Sequence, residues 1–187
     1  MAKWRNGEME RSLSFEIRRA RPSDVNDIAA AHADSIRSLG SHYYEPDVVR
    51  AWSDGLEGSL YAQAMARGEA FFIAVDRLGD QSDVLGFSTH RVDDNVHGTA
   101  VYVRGKAARR GVGSALFRAA EANARAAGAT TIEIDASLAA VDFYAALGFV
   151  EIGRGLHELP SGQSMPCVFM RKDLRQRCSL SQAGSAG

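Results

Sequence analysis

The chain has 187 residues, 45% of them hydrophobic and 24% charged, with a formal net charge of −1. Those values belong to one globular domain able to bury its own core, and they exclude bulk electrostatic attraction to nucleic acid or a membrane surface. Two cysteines, Cys167 and Cys178, are too few and too far apart for a zinc site or a disulfide framework, which fits free thiols in a reducing, cytoplasmic compartment.

Residues 1–14 are polar and charged, lack the apolar segment of a signal peptide, and read as a loose leader. A single domain is expected over residues 15–174, with a small, polar, disordered tail over 175–187. No apolar run approaches the ~20 residues that cross a bilayer. Phe15-Glu16-Ile17 alternates and predicts a first strand to about Arg19. Pro22-Ser23-Asp24 predicts a helix start with Ser23 as N-cap, and Val25, Ile28, Ala29, His32, Ile36 and Leu39 follow at helical spacing until Gly40. His32, on that apolar face, reads as a satisfied core histidine. Glu45-Pro46 starts a second helix with Val48, Val49 and Trp52 on its apolar face, and Ser59 to Arg67 reads as a third, ended by Gly68.

Two strands follow, Ala70 to Val75 and Val84 to His90, joined by a turn over Arg77 to Asp83. Asp93-Asp94-Asn95 turns the chain into the next strand, which ends in Val101-Tyr102-Val103. A helix is predicted from Val112 to Ala127, with Val112, Ala115, Leu116, Ala119, Asn123 and Ala126 inward and Gly128 as its stop. Thr130 to Asp135 is β-branched, so strand, helix and strand within about thirty residues predict a right-handed parallel crossover. A short helix from Ser137 to Leu147 stops at Gly148. Phe149 to Ile152 and Met165 to Arg171 are the last strands, with Gly153, Gly155 and Pro160-Ser161-Gly162 as turns.

The run from Ala100 to Leu116 passes from strand to basic glycine-rich loop to helix, which is a way of building an anion site. Glycines admit a close ligand, and the first helical N–H groups lack intrahelical partners and carry the positive end of the dipole. Lys106, Arg109 and Arg110 add positive charge. A P-loop would place a lysine after the second glycine, and none follows Gly111 or Gly113. A dinucleotide fingerprint would have glycine where Leu116 stands. A second stretch, Ser137-Leu138-Ala139-Ala140-Val141-Asp142-Phe143-Tyr144, runs on to Gly148-Phe149.

Together these two stretches resemble the GCN5-related N-acetyltransferase (GNAT) family. Its acyl-CoA loop reads Gln/Arg-x-x-Gly-x-Gly/Ala, and here Ala108-Arg109-Arg110-Gly111-Val112-Gly113 departs only at Ala108. Its second motif, Asn-x-x-Ala-x-x-Phe-Tyr-x-x-x-Gly-Phe, is matched at Ala140, Phe143, Tyr144, Gly148 and Phe149, with Ser137 in place of asparagine. The resemblance covers roughly Phe15 to Leu174, and the pattern Ser35-Ile36 … Tyr44 … Trp52 is similar to a bacterial subgroup with mostly unassigned acceptors. It implies an α/β fold of mixed α+β kind: a twisted sheet of about six or seven strands flanked by helices, split in a V between the fourth and fifth. A bulge near Tyr102 or Val103 would open that split.

The resemblance implies acetyl-CoA (coenzyme A) as co-substrate, an amine as acceptor, no metal, and a homodimer. Val101, Tyr102, Val103, Arg109, Arg110, Gly111, Val112, Gly113, Ser114, Ser137, Ala140 and Phe143 would then contact coenzyme A. Acetyl transfer needs a neutral amine although a free ammonium has a pKa near ~10, an oxyanion donor such as a backbone N–H of the fourth strand, and a proton for the leaving thiolate. The resemblance gives the last role to Tyr144, whose alternative reading is a core aromatic beside Phe143. No carboxylate occupies the fourth strand. His97 is the candidate base, since imidazole titrates near ~6.5, with His90, Asp93 and Asp94 as alternatives. Tyr43, Tyr44 and Trp52 either line the acceptor pocket or pack the first helices together. His42 and His157 have no metal-ligand spacing. Three readings stand: an acetyl-CoA-dependent N-acetyltransferase acting on a small-molecule or peptide amine by direct transfer, a CoA-binding regulator or sensor without catalysis, and an enzyme using another acyl group such as succinyl.

Overall fold

Alternating side chains over Phe15–Arg19 make the first strand, β1, whose neighbour in the sheet is β2, Ala70–Asp76. The structure is a computed structural model that describes residues 15–77 and 83–175. Cys178, the leader and, apart from Arg175, the expected tail lie outside the described residues. Between β1 and β2 run three helices: α1 (Val25–Leu39), α2 (Pro46–Ser53) and α3 (Gly58–Ala66). Then come β3 (Val84–Asp93), β4 (Val96–Val103), α4 (Val112–Ala126), β5 (Thr131–Ser137), α5 (Val141–Ala146), β6 (Val150–Glu158) and β7 (Ser164–Asp173).

The seven strands form one sheet in the order β1-β2-β3-β4-β5-β7-β6. Only β4 and β5 run parallel, as the α4 crossover requires. They share a single register pair, Gly98↔Glu133, and then diverge. The β3–β4 ladder keeps one register from Gly86↔Val103 to Asp93↔Val96, so the bulge expected near Tyr102 or Val103 is not what opens the split. Side chains take the strand edge instead. The Val101 N–H donates to the Tyr144 hydroxyl (3.1 Å) and the Val103 N–H to Ser35 Oγ (3.3 Å), so α5 and α1 stand where β5 would pair.

Helices cover both faces. On one, α1 and α3 bury Ile28, Ala31 and Tyr61 against Phe71, Ile73 and Phe87. On the other, Val112 and Leu116 pack on Ala74 and Leu85, and Phe117 packs among Ile132, Ile134, Phe149 and Met170. Burying side chains of this size at about 1.5–3 kcal/mol each supplies the main force holding the layers together. No described helix is long and apolar enough to cross a membrane.

Five local expectations are corrected, the last of them in part. The start of α1 is set by Asp24, not Ser23, because a short turn over Pro22–Asp24 moves the cap one residue on; the Asp24 carboxylate accepts the Arg21 N–H (2.6 Å) and a two-pronged Arg18 guanidinium (2.8 Å each). Gly40 stays right-handed (φ −67°), so the chain continues into a turn over Gly40–His42 with the Trp52 ring packed on the glycine. The buried stripe of α4 runs through Leu116, Phe117, Ala120 and Ala124, one position round from the expected face, and Asn123 is turned to Arg19 and His90. Gly153 and Gly155 lie inside β6. A Cβ on Gly155 would sit 2.6 Å from the Phe169 ring, so the glycine makes room for that ring, while the ladder slips between Glu151 and Gly153. His32 is half as expected: Nδ1 meets the Tyr61 hydroxyl at 2.8 Å, but buried Nε2 has no hydrogen-bond partner.

Candidate active site

The split between β4 and β5 is entered by the loop that leaves β4. Gly105 opens a turn over Gly105–Ala107, anchored by its N–H on Asp34 Oδ1 (2.9 Å) and by the burial of Ala107. Arg109 (φ +59°) and Gly111 (φ +80°) are both left-handed, a conformation that costs a non-glycine residue about 1–2 kcal/mol and that glycine adopts freely. That strain at Arg109 turns the loop so that α4 begins straight after Gly111, with no side chain capping it. Uncapped N–H groups and the dipole make this helix end a place for anionic oxygens. Lys106, expected to add charge here, instead pairs with Asp83 and leaves the site.

A cavity of about 620 Å³ lies at this helix end. Arg109, Gly111, Gly113 and Ser114 line it from the loop, and Val101, Tyr102 and Val103 from β4. Ser137, Ala140 and Phe143 line it from the chain after β5, and Tyr43 and Trp52 from the helices beyond. Gly113 keeps it open, since a Cβ there would meet the Phe143 ring at 3.1 Å. Arg110 is exposed beside the loop without lining the cavity, and Val112 is fully buried, leaving only its backbone to face a ligand. Ser35, Leu39 and Asp142 also line it.

A second cavity of about 140 Å³ opens between the diverging strands. It shares Trp52, Val101, Tyr102, Ser137 and Ala140 with the first, so the two meet across the split. Tyr144 lines it at 4% exposure, and burial pushes its phenol well above the usual range, which keeps it protonated. Tyr102 faces both cavities. Burial pushes its pKa up to about 12, partly offset by a hydrogen bond with Trp52, and its ring centroid is 3.8 Å from that of His32. Burial also holds the His32 pKa down to about 3.

The structure places the remaining expected residues elsewhere. Tyr44 is buried, and its hydroxyl accepts the Leu138 N–H and donates to the Pro166 carbonyl (2.8 Å each), tying the turn after α1 to β7 and the chain after β5. His97 lies at the far end of β4, four positions before Val101 and about 13 Å along the strand. Its Nδ1 is 2.9 Å from His90 Nε2, the rings stack at 5.2 Å, and His90 Nδ1 is 2.8 Å from Asn123. Burial, then His97, lowers the pKa of His90.

Sequence reasoning passed over Asp135, His157, Glu133 and Arg91, which line the small cavity. Asp135 and His157 are on different strands with no spacing signal between them. The alternation in Thr131–Ser137, which turns Ile132, Ile134 and Ala136 inward, could have put Glu133 and Asp135 on the opposite face.

Residues 41–159 match the family described as "Acetyltransferase (GNAT) domain". A GCN5-related N-acetyltransferase from Rhodopseudomonas palustris is similar over 87% of this chain and 98% of its own, with 28% identity and a TM-score of 0.74. PaiA N-acetyltransferase from Thermoplasma acidophilum, in complex with coenzyme A, shares the fold at 16% identity and a TM-score of 0.66, over 86% of this chain and 99% of that one. So does yncA from Salmonella typhimurium, with its cofactor acetyl-CoA, at 18% identity and a TM-score of 0.62, over 88% and 96%. No curated protein matches the sequence. With the family match covering most of the domain and the split sheet in place, the chain belongs to the GCN5-related N-acetyltransferase (GNAT) family.

Proposed function

We propose that the protein is an N-acetyltransferase that moves the acetyl group of acetyl-CoA to a primary amine of a small molecule or peptide, by direct transfer in a ternary complex. One observation carries this reading: an uncapped helix N-terminus behind a basic left-handed loop and the buried Tyr144 hydroxyl converge on the same length of split β4 edge. The residues present fit acetyl-CoA. Backbone N–H groups from Gly111 onward and the Arg109 guanidinium suit a pyrophosphate, which offsets the loss of a polar side chain at Ala108. The edge of β4 at Val101 and Val103 offers N–H groups to pantetheine and to a developing oxyanion once Tyr144 and Ser35 yield them.

Tyr144 is the proton donor in this reading. Its hydroxyl accepts the Val101 N–H, which leaves its own proton available for the departing thiolate. Trp52, which lines both cavities, borders the acceptor, Tyr43 lines the larger cavity beside it, and Tyr44 holds the turn between α1 and α2. Among the described residues, the one cysteine does not suggest an acyl-enzyme. Cys167 is buried and its thiol is pushed up by that burial, so attack comes from the amine itself.

The test is a screen of small amines and of peptide N-terminal and lysine amines for thiol release from acetyl-CoA, beside a calorimetric titration with acetyl-CoA alone. Binding with amine-dependent thiol release is expected. Binding without release from any amine points to a CoA-binding regulator, and no binding overturns the reading.

A further inference from the structure

Resting on that acetyl-transfer reading, we infer that Asp135 and His157 are the general base of the site and that the small cavity they line is the entrance for the acceptor amine. A base must reach a nitrogen attacking at the split, must have a free lone pair, and must exchange its proton with solvent. His90 and His97 are bonded to each other and to Asn123 at the far end of β4, and Asp93 pairs with Arg91 at the hairpin tip. Neither histidine nor Asp93 lines either cavity.

Asp135 and His157 meet all three demands. His157 Nδ1 is 3.1 Å from Asp135 Oδ2. An ionised carboxylate only accepts hydrogen bonds, so Nδ1 carries the imidazole proton and Nε2 holds the basic lone pair. Both side chains are close to half exposed, 43% for His157 and 45% for Asp135, so protons can come and go. The cavity they line joins the larger one at Val101 and Tyr102 and is bordered by Tyr144, so a nitrogen entering there meets the split from the side opposite the glycine loop. The other charges facing it are balanced, since Glu133 pairs with Arg171 (2.7 Å) and Arg91 with Asp93, while Trp52, Tyr102 and Met165 supply neutral walls.

The step balances. His157 Nε2 takes one proton from the entering ammonium, and Asp135 holds the resulting imidazolium. The free amine attacks the thioester carbonyl, the C–N bond forms and the C–S bond breaks. Tyr144 gives its proton to the thiolate and is refilled from solvent. The imidazolium gives its proton to solvent, and the freed Nε2 then takes the second proton of the nitrogen and passes it on the same way. One ammonium and one thioester thus yield an amide, a thiol and one released proton.

The experiment compares n-butylamine, an ammonium near neutral pH, with hydroxylamine, which is already neutral there and needs no base before it attacks. Thiol release is measured above the background without protein, for wild type, His157→Gln and Asp135→Asn, each also titrated with acetyl-CoA by calorimetry. His157→Gln should lower kcat/KM for n-butylamine by about 10²-fold or more and for hydroxylamine by less than about tenfold, and should remove the acid limb of the pH–rate profile. Asp135→Asn should shift the same way by a smaller factor, and acetyl-CoA affinity should stay within about twofold. Equal losses with both amines, an unchanged pH profile, or a matching loss of acetyl-CoA affinity overturns the assignment. Wild-type protein that binds acetyl-CoA but releases no thiol with either amine, nor with any amine of the screen above, overturns the transferase reading and the base with it.

Discussion

The two sides of the β4–β5 split are made of different material. The larger cavity has one wall of backbone, a left-handed loop, two glycines and the first turn of α4, faced by the side chains of Tyr43, Trp52 and Phe143. The smaller one is framed by charged and aromatic side chains from β3, β4, β5, β6 and the helices. Backbone recognition needs glycine at fixed spacing along one stretch of chain. Side-chain recognition only needs residues that the fold brings together, wherever they stand in sequence. The first kind of site is constrained by backbone geometry and the second only by what the fold brings together, which suits a common acyl donor on one side and a particular acceptor on the other.

Substitutions that separate the two sides break or sharpen this comparison. Gly113→Trp has the largest expected effect: with Phe143 3.1 Å from a Cβ, a bulky side chain fills the cavity, and calorimetry should show acetyl-CoA affinity falling about 10²-fold or more. Tyr144→Phe acts between the sides. It should lower kcat by about 10²-fold in a thiol-release assay while acetyl-CoA binding persists, and unchanged turnover would remove it from the proton path. Arg109→Ala removes one charge from a loop whose amides remain, so a loss of only about tenfold in acetyl-CoA affinity is expected, smaller at high salt.

Tyr44→Phe should leave acetyl-CoA binding intact but lower stability by about 1–3 kcal/mol in a denaturant melt, because the Leu138 N–H and the Pro166 carbonyl lose a shared partner. The smallest effect is electrostatic. Arg18, by hydrogen bonding first, holds the Asp24 carboxyl below its ordinary value, so their pair stabilises fully above the unfolded pKa of ~3.9 and fades as pH falls through the lower folded one. Melts from neutral pH to below ~3.9 should show Asp24→Asn losing its deficit, about 1 kcal/mol at most after solvent screening, only at the acid end.

The same contrast explains what could be read from sequence. That Gly111, Gly113 and Phe143 would come together beside Tyr144 was legible because they stand in two short stretches of chain, and so were the strand and helix order and the parallel crossover. Where a residue's role depended on a distant partner, local reading failed. Gly155 looked like a turn until Phe169 was seen to need its space. Ser35 gave no sign that it would take the Val103 N–H, and Lys106 none that Asp83 would draw it from the loop. Phe117 was passed over because a stripe of alanines on α4 fits two adjacent faces equally well, and only packing against Ile132 and Phe149 selects one. Asp135 and His157, separated by a helix and part of a strand, had no common motif to announce them.

The most direct test of the split sheet as an acyl-CoA site is calorimetric titration of the wild-type chain and of Gly113→Trp with acetyl-CoA. Saturable binding by the wild type at one molecule per chain, abolished in the variant, is the expected result. Absence of binding by the wild type, or equal binding by both, would contradict it.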